Sequence, residues 1–140
     1  AHAQEELGVL ELALQDLLHR TIDSFTTNDI KLAGKVEPLE QVIDGLVREI
    51  KTRHIARLQA GSCSIEYGFV LDDLLTNYER VADHCSNIAV AMIEVSQDSF
   101  DTHAYLSKLK EEDQGFSRRY EKYRTRYLFP EDTQTAEEQK

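Results

Sequence analysis

The sequence predicts an all-α protein, an antiparallel bundle of long helices, and three observations carry that prediction. Only two prolines and six glycines interrupt 140 residues, so backbone breakers are few. Apolar residues recur at three- and four-residue spacing over long segments, the period of a helix with one buried face. The connections left between those segments are short, which forces consecutive helices to run antiparallel. At this length one domain buries a sizeable core without disulfides or metal staples.

The first helix is read from about Gln4 to Phe25, with Leu7, Leu10, Leu14, Leu17 and Leu18 on one side. It stops at Thr26-Thr27-Asn28, where Thr27 or Asn28 can cap the next helix by accepting its free N–H groups. The second helix runs from about Asp29 to Leu58 or Ala60 on an inward stripe of Leu32, Val36, Leu39, Ile43, Leu46, Ile50, Ile55 and Leu58. Pro38 lies inside it and cannot donate to the carbonyl of Gly34. Because the apolar pattern stays in register on both sides, a kink is expected there and not a break. Gly61-Ser62 closes this helix, with Ser62 or Ser64 placed to cap the third.

The third helix, about Ser64 to Val95, has the cleanest periodicity. Leu71, Tyr78, Cys85 and Met92 form one line at seven-residue spacing, and Leu74, Val81, Ile88 and Val95 form a companion line. Leu75, Ala82 and Ala89 thicken this coiled-coil-like seam. A fourth helix is read from near Ser99 or Asp101 to about Leu128. It uses Tyr105, Leu106 and Leu109, then Phe116, Tyr120, Tyr123 and Tyr127, and Pro130 ends it. The expected organisation is therefore a bundle over 4–97, a Tyr-rich helix over 99–128 packing on the bundle or on a partner, and a polar, disordered tail over 129–140.

Hydrophobic residues at 41% and charged residues at 30% give an ordinary globular balance and argue against global disorder. The net charge of −10 works against nucleic acid or any polyphosphate as a partner and favours cations. No apolar run is long enough to span a bilayer, and no secretory signal pattern opens the chain. Cys63 and Cys85 match no zinc spacing and are too few for a disulfide scaffold, so a reducing compartment is the default. The opening Ala1-His2-Ala3 lacks Met and runs at once into helical pattern, as expected of a piece of a longer protein or a tag remnant.

Two Glu-x-x-x-Asp pairs carry the most chemistry. Residues four apart share a helix face, about 6 Å apart along the axis, so Glu40 and Asp44 project together from the second helix and Glu79 and Asp83 from the third. At about 100° per residue, Glu79 and Asp83 fall away from the Leu71-Tyr78-Cys85 line, on the side of Asp72, Thr76 and Asn87. Glu40 and Asp44 lie about a quarter turn or more from the Leu39-Ile43-Leu46 stripe. One such pair is ordinary for a solvated helix face. Four carboxylates on consecutive antiparallel helices repel one another unless a cation lies between them. Oxygen ligands suit Mg, Ca, Mn and Fe, and carboxylate sites also take zinc.

The stretch Glu79-Arg80-Val81-Ala82-Asp83-His84-Cys85-Ser86-Asn87-Ile88-Ala89 resembles the third-helix signature of PhoU domains, approximately Glu-Arg-Ile-Gly-Asp-His, two residues of any kind, then Asn-Ile-Ala. Val81 and Ala82 stand where the family has Ile and Gly. Val36 through Leu46, read as Val-Glu-x-Leu-Glu-x-x-Ile-Asp-x-Leu, is similar to the second-helix signature. The resemblance covers about Glu5 to Val95. It implies a three-helix PhoU-like bundle with an additional C-terminal helix here, and it makes Glu40, Asp44, Glu79 and Asp83 ligands of a surface iron or zinc cluster. Asp72, Asn87 and His84 stand as accessory candidates.

Free-standing PhoU proteins carry two bundles in tandem, whereas one bundle followed by a Tyr-rich helix looks more like the cytoplasmic C-terminal domain of bacterial sodium/phosphate cotransporters. The expected partners are then the membrane domain of the same transporter or another phosphate-transport protein, at the cytoplasmic side of the inner membrane, or a second copy in a homodimer. A free-standing phosphate-signalling protein and a metal-free interaction module are the alternatives. A lone bundle supplies half the acidic sites of a tandem one, so clusters are expected to be smaller, weaker or shared across a dimer.

An enzyme is not expected. Di-iron carboxylate bundles use Glu-x-x-His pairs, absent here. The Asp83-His84 dipeptide also occurs in metal-dependent phosphohydrolases, which need further histidines, and His2, His19, His54 and His103 show no such arrangement. His84 reads as bonded to a neighbouring helix, and Asn87 as bonding across helices or completing a metal shell. Cys85 reads as a small buried hydrophobe, and Cys63, in a turn, has no activating neighbour in the sequence. Arg118, Arg119, Lys122, Arg124 and Arg126 interleave with the Tyr stripe as a solvated face, with a membrane surface, a transporter partner or phosphate as the alternative readings.

Overall fold

The computed structural model describes residues 2–97 and 114–130. Over these the chain is helical, with no strand: α1 (His2–Thr27), α2 (Ile30–Ala33), α3 (Val36–Gln59), α4 (Ile65–Gln97) and α5 (Gln114–Arg126). α1, α3 and α4 pack against one another as the three-helix core, and α5 lies along α3. Leu10 and Leu17 of α1, Leu39, Ile43 and Ile50 of α3, and Leu75 of α4 are fully enclosed. Non-directional burial of these side chains is the main stabilising contribution.

Both turns between long helices close by the same device. Asn28 takes a left-handed backbone (φ 51°) and the N–H of Asp29 reaches back to the carbonyl of Ser24 at 2.9 Å. Gly61 (φ 70°) does the same, with Ser62 N–H donating to the Arg57 carbonyl at 3.0 Å. These six-residue closures satisfy carbonyls that the last helical turn leaves open. Asn28 therefore ends α1, and the cap of α2 is Asp29, whose Oδ1 accepts from Leu32 N–H at 3.0 Å. Ser64 caps α4 as expected, accepting from Tyr67 N–H at 3.3 Å.

The expected kink at Pro38 is instead a break just upstream of α3's first turn. Gly34 and Lys35 N–H groups close on Ile30 and Leu32 carbonyls, and α3 restarts at Val36. Pro38 becomes the third residue of that helix, where an N–H has no intrahelical partner to lose.

The inward stripe of α3 holds over most of its length and departs at its end. Val36, Leu39, Ile43, Leu46 and Ile50 are buried as read, Val47 and His54 join them, and Ile55 is 55% exposed. On α4 the buried positions include Leu71, Ala82 and Ile93 at eleven-residue spacing, and the companion line ends with Val95 80% exposed. A strict heptad drifts around a straight helix; eleven residues nearly complete three turns. The inward positions thus take in polar groups that an apolar stripe passes over.

Phe116, Tyr123 and Tyr127 are buried against the bundle, and Phe129 is only 2% exposed beneath the Arg53 guanidinium, which lies 4.7 Å from its ring. Residue 129 accordingly belongs to the core and not to the expected tail. The start of the fourth predicted helix, over 98–113, and the rest of that tail, 131–140, lie outside the described residues.

Tyr127 O–H donates to Asp16 at 2.7 Å. Burial first, then this carboxylate, push the Tyr127 hydroxyl up from its ordinary 10.0 to about 12. The neutral phenol is favoured by the fold, so its contribution is intact below about pH 10 and lost as pH rises toward about 12, where the unfolded chain holds fewer protons. Tyr127→Phe is expected to remove that loss, measured as the difference between the two proteins' urea midpoints across this window.

Candidate metal centre

α3 and α4 run side by side, and the spacing of four on each helix brings two carboxylates per helix to their shared edge. Glu40, Asp44, Glu79 and Asp83 line one shallow cavity of about 60 Å3, with Ile43 and Ala82 completing it. Ala82 is the small residue that lets the helices approach here; it is 2% exposed. Glu40 and Glu79 are half-buried, whereas Asp44 and Asp83 are exposed. The four sit at the surface beside the core, in the position helical geometry assigns them.

The protein supplies cations of its own to this groove. Lys51 Nζ lies 3.1 Å from Glu79 Oε1, bridging α3 to α4, and Arg48 lies 3.0 Å from Asp44 Oδ2 one turn along α3. Both pairs are substantially exposed, and such pairs typically stabilise by about 0–1 kcal/mol. Ser86 Oγ donates to Glu37, a further polar link across the same two helices.

Asp72, His84 and Asn87 are exposed and do not line the acidic cavity. Asp72 instead borders a second cavity, with Lys51 and His54. Sequence reasoning passed over His54 and Glu6, both buried polar residues at inward helix positions. Their signal was position in the helical period, masked by residue type.

A family-model comparison matches the PhoU domain over residues 11–92, more than half of the chain. This chain belongs to the PhoU domain family. The match runs from within α1 to near the end of α4, so both acidic pairs of the groove lie inside the PhoU domain. No curated protein and no solved structure matches the chain.

The groove can be tested as a cation site on its own chemistry. Its donors are all carboxylate oxygens, the kind that hard divalent ions take. In the arrangement described, no three His, Cys, Asp or Glu side chains among the described residues stand close enough to hold one ion together. The donor set suits a hard cation in kind, but as placed the four carboxylates do not converge on one ion, and Glu79 and Asp44 are paired with Lys51 and Arg48.

Proposed function

We propose that this PhoU domain is a regulatory or accessory domain of phosphate transport that acts by binding and not by catalysis, with Glu40, Asp44, Glu79 and Asp83 as its metal ligands. The observation that carries this reading is the meeting of both acidic pairs on one cavity between α3 and α4. A bound iron or zinc cluster would supply positive charge that ties the two helices together. Glu79 and Asp83 hold the α4 side, Glu40 and Asp44 the α3 side. The resemblance to the cytoplasmic domain of sodium/phosphate cotransporters supports the membrane domain of such a transporter as the partner, on the cytoplasmic side. Among the described residues no helix is long and apolar enough to cross a membrane.

A metal-free interaction module is the second reading, and the Lys51 and Arg48 pairs favour it, since they already offset two of the four charges. Thermal unfolding with and without Fe2+, Mn2+ or Zn2+ separates the two. Binding to the folded state alone raises the midpoint by mass action. The ligand reading expects such a rise for wild type and its loss in Glu79→Ala with Asp83→Ala. Equal midpoints in all samples would leave the metal-free module.

A further inference from the structure

Away from the acidic groove, the end of α3 and the turn leading into α4 bring a thiol and an imidazole together. Cys63 Sγ lies 3.6 Å from His54 Nδ1. Cys63 is half-buried and opens onto a broad surface cleft of about 600 Å3 shared with Gln59, Ser64 and Glu66. His54 is 8% exposed, and its other nitrogen, Nε2, is enclosed with no hydrogen-bond partner among the described residues. Nε2 faces Gly68 of α4, where a Cβ would lie only 2.8 Å away. Both residues line a cavity of about 170 Å3 that also carries Asp72 and Lys51.

We propose that Cys63 is a modification site, a thiol that reacts with small electrophiles such as peroxides, with His54 as the base that takes its proton. A structural histidine normally satisfies both ring nitrogens when it is buried. Here the thiol stands 3.6 Å from both Nδ1 and the Ser64 carbonyl, and Nε2 is committed to nothing among the described residues. His54 therefore has the Cys63 thiol beside Nδ1 and an Nε2 enclosed against Gly68. Gly68 is the residue whose missing Cβ lets α4 pack this closely on the ring.

With hydrogen peroxide the step balances within these groups. The thiol proton passes to His54 Nδ1 as sulfur attacks one peroxide oxygen; the S–O bond forms and the O–O bond breaks. The leaving hydroxide takes the proton back and departs as water. Sulfur is oxidised to a sulfenic acid, and the peroxide is reduced. Cys85 is the internal control: it is 3% exposed and burial pushes its thiol up. This inference does not depend on metal binding at the acidic groove.

The test is the rate of reaction of the intact chain with hydrogen peroxide and with iodoacetamide, read at each cysteine by mass spectrometry, beside N-acetylcysteine at the same pH. Cys63 is expected to react at least about tenfold faster than the free thiol, Cys85 slower than it. His54→Gln is expected to bring Cys63 down to the free-thiol rate. A wild-type Cys63 no faster than N-acetylcysteine overturns the proposal, and that comparison needs no variant. A folded His54→Gln protein that keeps the wild-type rate overturns it as well.

Discussion

Replacing Glu6 with alanine is expected to lower the unfolding free energy by about 3–5 kcal/mol. Glu6 is 2% exposed, and its carboxylate meets the two terminal nitrogens of Arg57 at 2.9 and 2.8 Å. Arg53 lies 3.6 Å from the same group and also covers the Phe129 ring. Truncating the acid leaves two guanidinium groups facing one another with no Glu6 carboxylate between them, in a site largely closed to water. The side chains of Arg57 and Arg53 keep 23% and 17% of their exposure, which places the expected loss at the lower end of that range. Urea unfolding followed by far-UV circular dichroism measures it. Glu49→Ala, which removes an exposed partner of Arg53, should cost less than about 1 kcal/mol. Losses of similar size for Glu6 and Glu49 would show that the buried fork contributes no more than a surface pair.

Lys51→Gln and Glu79→Ala are expected to move metal affinity in opposite directions. If the ion must displace Lys51 from Glu79, deleting the lysine frees a ligand and removes a positive charge beside the site. A gain of up to about fivefold, equivalent to about 1 kcal/mol, is expected at partly exposed charges. Glu79→Ala removes one of the four proposed ligands and is expected to weaken binding by at least about a hundredfold, comparable to the loss of a supporting group in metal sites. Calorimetric titration with Mn2+ reads both. An unchanged affinity in Lys51→Gln would mean that the lysine and the ion do not compete for Glu79.

The features that sequence made legible are those set by local period and composition. The bundle, the closure at Gly61 and the Ser64 cap follow from spacing and from residues whose backbone preferences are strong. So does the surface position of Glu40, Asp44, Glu79 and Asp83, because four-residue spacing and the core stripe together determine which edge they occupy. The break before Pro38 was not legible, since a kinked helix and a restarted one satisfy the same apolar pattern. Glu6, His54 and Arg57 were missed for a different reason. Charged and polar residues on a helix are assigned to solvent by default, and their burial depends on partners far away in sequence, 51 residues in the case of Glu6 and Arg57. The Cys63–His54 contact spans only nine residues, but it exists because α3 ends in a tight left-handed turn that folds the thiol back over the last buried turn of the helix.

Elemental analysis of the purified chain, before and after anaerobic reconstitution with iron and separately with zinc, tests the central claim most directly. Reconstitution belongs in the measurement because a surface site is easily stripped. The account predicts at least about one equivalent of metal per chain, retained through desalting and absent when Glu79 and Asp83 are both alanine. A wild-type chain that retains no metal after reconstitution, or a double variant that retains as much as wild type, would contradict it.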